Sequence, residues 1–195
     1  MGRKSNAGKR QEEIIWALYD CLAESGHEKV TVKEIARKAN LAPGVIHYYF
    51  RSKDEIVASL ANAIVDKYSS MLVEKIEAAS SVEEKIAFAI DYIVDTLVFN
   101  PPLNRVFYNL LQMAYEREEL NDVVREMFRN YRMLLVRIFE EANAGRESKL
   151  LGGALVAITE GFSVQLMVDP EAFKPNEIRL LITHAIKDRL ADSEI

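Results

Sequence analysis

Cysteine occurs once in this chain, at position 21, which excludes an internal disulfide and leaves no Cys pair for a zinc ribbon or a dithiol motif. With Ala17, Leu18 and Leu22 around it at helical spacing, Cys21 reads as a packed apolar side chain. Histidine is nearly as scarce. His27, His47 and His184 are scattered without ligand spacing, so neither a metal nor a cofactor is expected. There is no phosphate-cradling glycine loop, no His-Glu-x-x-His pair and no nucleophile elbow, and an enzyme is not expected. No apolar run approaches the roughly 20 residues that span a bilayer, and the start MGRKSNAGKR is basic and polar with no apolar signal core. The expectation is a cytoplasmic protein without membrane contact. Sustained strand-type alternation is missing as well.

What is present is ordinary for a folded chain: 49% hydrophobic and 28% charged residues over 195 positions, too apolar for disorder. The formal net charge of −5 argues against a polyanionic partner, but its distribution reverses that argument. Residues 1–53 hold ten Lys or Arg against six Asp or Glu, a balance of +4, and residues 54–195 hold fifteen against twenty-four, a balance of −9. A basic head on an acidic body points to nucleic acid contact through the head alone.

Every segment long enough to show a period shows the helical one, so the fold class is all-α, with about nine helices. The first runs over Gln11–Ser25 and stops at Gly26. Thr31-Val-Lys-Glu34 is a capping box opening a short helix to Ala39. Asn40, Leu41 and Ala42 leave room only for a tight turn before Pro43, which fits the first turn of a third helix ending near Phe50. Ser52-Lys-Asp-Glu55 opens a long fourth helix to about Ala79, and Ser81-Val-Glu-Glu84 a fifth, closed by Asn100-Pro101-Pro102. Leu103–Glu116, Leu120–Asn143, Glu147–Val168 and Asn176–Leu190 complete the set.

Two short helices joined by about three residues have the spacing of a helix-turn-helix, in which the second helix enters the major groove. In the stretch LAPGVIHYYFRSK, Ile46 and Phe50 are four apart and fall on one face, assigned to the core. Val45, His47 and Tyr48 project elsewhere; a tyrosine can donate to phosphate, Val45 can meet a thymine methyl, Gly44 lets backbone approach, and Lys53 adds a point charge at the next helix N-terminus. The basic arm with Arg3, Lys4, Lys9 and Arg10 is a minor-groove probe or a solvated tail.

The run TVKEIARKANLAPGVIHYYFRSKDEI resembles the N-terminal domain of TetR-type (tetracycline-repressor-like) transcriptional regulators: a threonine opening helix two, the Ile35-Ala36 pair, a turn, a ring-rich helix ending in Tyr49-Phe50, then x-Ser-Lys. The resemblance covers roughly residues 10–60. It implies a homodimer binding double-stranded DNA, with a DNA-binding domain at 1–53 and a helical ligand-binding and dimerisation domain at 54–195. By that resemblance Thr31, Lys33 and Pro43 belong to the DNA-contact set, Gly44, Val45 and His47 face base edges, and Tyr48, Tyr49 and Lys53 position the backbone. Ala42 stands where many members have a capping serine, and His47 where tyrosine is common.

In the body, the fifth helix has two apolar faces, Ile86, Ile90, Ile93 and Leu97 on one and Phe88, Tyr92 and Phe99 on the other, which suits the wall of a cavity. Asp95 among them would suit a cationic effector or pair with a neighbouring Arg. Phe107, Leu111, Tyr115, Phe128 and Tyr131 join the expected effector pocket. The eighth and ninth helices have little polar surface and are expected to pair with their symmetry mates in a four-helix bundle. The function expected is that of a ligand-responsive repressor. Two rivals stay open: a protein of the same fold whose body binds a protein partner, and a helical ligand carrier without DNA function.

Overall fold

The structure, a computed structural model, describes residues 2–142 and 145–192, with side chains placed for 7–142, 145 and 147–190. Among the described residues there are nine α-helices and no strand: α1 Gly2–Glu24, α2 Val32–Lys38, α3 Pro43–Tyr49, α4 Lys53–Glu77, α5 Val82–Tyr92, α6 Pro101–Glu116, α7 Glu118–Glu141, α8 Ser148–Val168 and α9 Pro175–Asp192. The expected number and order of helices are found. Their ends are set by local chemistry. Thr31 and Glu34 form the reciprocal box, the Glu34 N–H reaching Thr31 Oγ1 at 3.2 Å and the Thr31 N–H reaching the Glu34 carboxylate at 2.9 Å. At the starts of α4 and α5 the serine half is the same, but Glu55 and Glu84 accept from Arg51 and Ser80, one residue further back than expected.

Three elements differ from expectation. Helix α1 begins at Gly2, nine residues earlier, because nothing in its polar start breaks a helix although no apolar stripe announces one. The side chains of Arg3 and Lys4 lie outside the described ones. Helix α6 begins at Pro101, since prolines without N–H fit a first turn. The fifth helix leaves α geometry at Ile93 and continues as a π-helical segment to Val98, where the Phe99 N–H reaches back five residues to Val94 O at 3.1 Å.

The chain divides into two compact units, residues 1–64 with 105–127, and 65–104 with 128–195. Helices α4, α6 and α7 contribute residues to both, so compaction does not follow the chain-order division at residue 53. The first unit is built on Ile14, Leu18, Leu22, Ile35, Ile46, Ile56 and Leu60, all at 1% exposure or less. Each contributes roughly 1.5–3 kcal/mol of burial. Cys21 is buried in the same core, and burial pushes its thiol pKa up, which keeps it an unreactive thiol. The second unit is centred on Leu72, Ile93, Leu135, Phe139 and Ile182.

By length and composition alone, α4 and α8 would suffice to cross a bilayer, and a bent pair spanning 82–116 would make a third. This corrects the expectation that no segment approaches that length. In α8 the solvent face is as apolar as the buried one, so its charged residues, Lys149 and Glu160, interrupt the run without lowering its mean hydropathy enough.

Candidate nucleic-acid interface and helical body

Helix α3 owes its position to the turn before it. Ala39 ends α2, Asn40 adopts a left-handed φ of 55°, and the Leu41 N–H reaches Ala36 O at 2.8 Å while the Asn40 N–H reaches Arg37 O at 3.2 Å. These are the two bonds of a Schellman closure, with asparagine, whose short side chain tolerates that backbone region, in the role glycine usually takes. Ala42 offers no side-chain cap, as expected from its missing hydroxyl. Its carbonyl still accepts from the Val45 N–H at 2.9 Å, and Pro43 occupies the first turn.

Helical phase then sorts the ring-rich stretch. Ile46 and Phe50 are buried at 1% and 4% exposure, whereas Tyr48 is 82% exposed. Pro43, Gly44 and His47 are exposed, and Val45 and Tyr49 are half-buried. The Tyr48 and Tyr49 rings meet edge to face, 5.0 Å between centroids. Thr31, the cap of α2, and Lys33 in its first turn stand exposed. The Thr31 hydroxyl is engaged in the cap, donating to Glu34 at 3.2 Å.

Lys53 differs from its expected posture. Its ammonium turns inward and donates to the carbonyls of Val30 and His27, the latter at 3.1 Å. Burial, and after it the charge of Arg117, holds its pKa below the ordinary lysine value. Lys53 therefore clamps the turn before α2, and the expectation of an outward point charge is corrected. Within the first unit the same turn is gripped by α6. Asn109 accepts the His27 N–H at 2.7 Å and donates to Leu22 O at 3.1 Å and Arg105 O at 2.9 Å, and His27 Nε2 lies 3.3 Å from the Glu116 carboxylate. The Arg117 guanidinium pairs with Asp54. Sequence reasoning missed this latch. The signal was an asparagine inside the apolar stripe Val106, Leu110 and Met113 of α6.

The nine residues expected to line a pocket do not form one set. Tyr92, Phe99, Phe128 and Tyr131 belong to the core of the second unit or pack against it, and Phe88 of that unit is half-buried. Phe107, Leu111 and Tyr115 belong to the first unit. Two stand outside any pocket, and for Asp95 the expected alternative of pairing with a neighbouring Arg is the one found. Tyr115 is 93% exposed. Asp95 faces solvent from the π segment, where both of its oxygens accept from Arg179 at 2.8 Å while Asp91 accepts from the same guanidinium at 2.6 Å. The π turn and this ion triad keep one side of the fifth helix wet, so it is not buried all round. Tyr92 donates to Tyr68 O at 2.6 Å, and the Tyr131 hydroxyl lies 3.5 Å from that of Thr159; burial raises both phenols well above their ordinary pKa. No group of three or more His, Cys, Asp or Glu that would hold a metal occurs among the described residues.

Two short helices locked by a tight turn, with a ring-bearing outer face, define a helix-turn-helix protein of the DNA-binding class. The comparisons with known proteins agree. Residues 14–60 match the description "Bacterial regulatory proteins, tetR family" and residues 82–191 match "BetI-type transcriptional repressor, C-terminal". The chain belongs to the TetR family of transcriptional regulators, ligand-responsive DNA-binding repressors, with a body of the BetI type. Among its relatives are the fatty acid metabolism regulator protein of Bacillus subtilis, 27% identical over 137 residues and 70% of each chain, and the nucleoid occlusion factor SlmA of Haemophilus ducreyi, 24% identical over 184 residues and 89% of each. A crystal structure of a transcriptional regulator from Pseudomonas aeruginosa PAO1 superposes with a TM-score of 0.83 at 19% identity, covering 94% of this chain and 91% of that one. The regulator FadR of Bacillus subtilis in complex with stearoyl-CoA does so at 0.75 and 22%, covering 88% and 96%. At these identities the superpositions speak for the fold alone.

Proposed function

We propose that this protein is a homodimeric repressor that holds a near-palindromic operator and releases it when a small, largely apolar molecule occupies its body. The observation that carries the reading is the outer face of α3, where Tyr48 stands 82% exposed beside the exposed His47 while Ile46, two positions before Tyr48, is buried. A ring that size left in water on a helix of two turns is contact surface in waiting. Gly44, Val45 and His47 meet base edges; Thr31, Lys33, Pro43, Tyr48 and Tyr49 position the phosphates; Lys53 acts through the turn it clamps. The head is residues 1–53 and the body residues 54–195. The stearoyl-CoA held by the Bacillus subtilis FadR supports an effector with a long apolar portion. The protein acts in the cytoplasm and is not an enzyme; its relatives are regulators.

A dimer presents two α3 helices to successive major grooves about 34 Å apart, so an effector that alters their separation weakens binding. The test is a gel shift on duplexes from either side of its own coding region. The wild type is expected to select one near-palindrome, and His47→Ala to change which sequence is selected. Equal binding to every duplex sinks the reading.

A further inference from the structure

The basic excess of the head lies in one place. Residues 1–10 hold Arg3, Lys4, Lys9 and Arg10 and no acid, whereas residues 11–53 hold six Lys or Arg against six Asp or Glu. The helix-turn-helix therefore brings no net charge of its own to a polyanion. Two of its cations are also engaged within the fold: Lys38 pairs with Glu24 at 2.5 Å, and Lys53 clamps the turn before α2. The basic segment itself is helical from Gly2 onward. Among the described side chains of α1, Ile14 is the first buried one, so residues 2–13 carry the helix about 18 Å ahead of the core. Gly8, Lys9, Arg10, Gln11 and Glu12 are exposed, and a Cβ on Gly8 would meet nothing within 4 Å. A helical stretch this short gains little in water without packing, and burial does not account for this one. Arg10 pairs with Glu13 at 2.6 Å, while Lys9 has neither hydrogen bond nor ion pair among the described residues.

We propose that this helical extension is a second DNA contact, which lies against the phosphates flanking the operator and adds affinity without reading sequence. The proposal rests on the reading that the head binds an operator. The helical form decides between the uses left open for the basic arm. A minor groove about 6 Å wide does not admit a helix about 10–12 Å across, so the extension meets the duplex from outside, at the phosphate ridge. An extension of about 18 Å runs past about five base pairs at 3.4 Å each. Arg3, Lys4 and Lys9 are the cations of this extension without an acidic neighbour closer than Glu12 in the sequence. Residues 54–195 carry a balance of −9 and repel a duplex, so cations concentrated ahead of the core supply the local field that favours approach. Such contacts release counterions, and their strength therefore falls steeply with salt.

The test uses the full-length protein and fluorescence anisotropy on two labelled duplexes: the selected near-palindrome alone, and the same palindrome with about ten base pairs added at each end, from about 50 to 200 mM salt. The wild type is expected to hold the longer duplex about tenfold or more tightly at the lowest salt. The variant Arg3→Gln/Lys4→Gln/Lys9→Gln should lose that difference and select the same sequence, with a salt slope shallower by about 0.9 for each phosphate contact removed. The charge-keeping variant Arg3→Lys/Lys4→Arg/Lys9→Arg should behave as wild type. A glutamine variant that keeps the wild-type slope and affinity overturns the proposal, and so does one that selects a different sequence. An equal loss in the charge-keeping variant overturns it too, because charge would then not be the cause. If the slope is kept and the glutamine variant instead loses binding to phosphatidylserine vesicles, the extension belongs to a membrane surface. A wild type that binds every duplex equally overturns the reading of the head itself. A wild type that selects its palindrome, matched by the glutamine variant on both duplexes, overturns this contact alone.

Discussion

Lys53 sits at a junction where a single ammonium decides between two roles. Facing phosphate, it would release a counterion on DNA binding; facing Val30 O and His27 O, it fixes the turn from which α2 starts. Lys53→Met keeps the aliphatic stem and removes the charge, leaving two carbonyls short of a charged donor, so stability in urea is expected to fall by about 1–3 kcal/mol. The slope of log affinity against log salt for operator binding should stay the same as wild type, because a phosphate-facing lysine would change it by about 1. A slope reduced by one with stability intact would return Lys53 to the phosphates. Glu160 carries the matching prediction for pH. The folded chain keeps the Glu160 proton up to about pH 7, and the unfolded chain releases it near the ordinary carboxylate range of about 4.3. Folding takes up a proton between those values, so this group favours the fold at low pH and the advantage is lost as pH rises through 7. Glu160→Gln is expected to melt above wild type at pH 8, by a margin that shrinks towards pH 5; a margin independent of pH would show that Glu160 is not held protonated.

Among the elements, the α7–α8 pair depends on one missing side chain. A Cβ on Gly152 would stand 2.6 Å from Val136 Cγ2, 3.1 Å from the Val136 nitrogen and 3.3 Å from Arg132 O, whereas one on Gly153 would meet only the Arg132 Cδ at 3.8 Å. The second and third are backbone atoms and cannot rotate away. Gly152→Ala is expected to cost about 1–3 kcal/mol through forced separation of the helices, and Gly153→Ala to be neutral or to gain up to about 1 kcal/mol of helix propensity. Comparison of the two urea midpoints checks this, and equal effects would mean the contact relaxes. The helices themselves were legible in the sequence because their signals are local: a 3.6 period, a threonine or serine cap, an asparagine able to take a left-handed turn. The π segment at Ile93–Val98 was not, since a five-residue hydrogen bond leaves the same residue types in the same order as a four-residue one. That slip in register is part of why Asp95 was assigned to a pocket and lies beside Arg179. On α3 the phase of Ile46 and Phe50 was readable from their spacing alone. The inward turn of Lys53 and the exposure of Tyr115 were not, because both depend on chain segments distant in sequence or absent from beside them.

For the whole molecule, the question is what covers the last two helices. Of the ten exposed large hydrophobics among the described residues, Leu150, Val164 and Val168 lie on α8 and Leu180 and Leu181 on α9. On α8 the exposed Ala157 and Gly161 continue the line between Leu150 and Val164 at helical spacing, so the stripe is apolar along its length and small in its centre, where another helix can approach closely. A second copy of the chain is the occupant that the dimer reading requires, since an isologous interface needs one self-complementary patch. Val164→Glu places a charge in that stripe at a position already 46% exposed in the single chain, so the fold of the monomer should be little affected. Sedimentation equilibrium is expected to show the wild type at twice the monomer mass and Val164→Glu at the monomer mass. Binding to a full palindrome should fall steeply in the variant, while the weak binding to a single half-site stays as in wild type. A variant that remains dimeric, or that becomes monomeric and still binds the palindrome as tightly, would place the partner of α8 and α9 elsewhere.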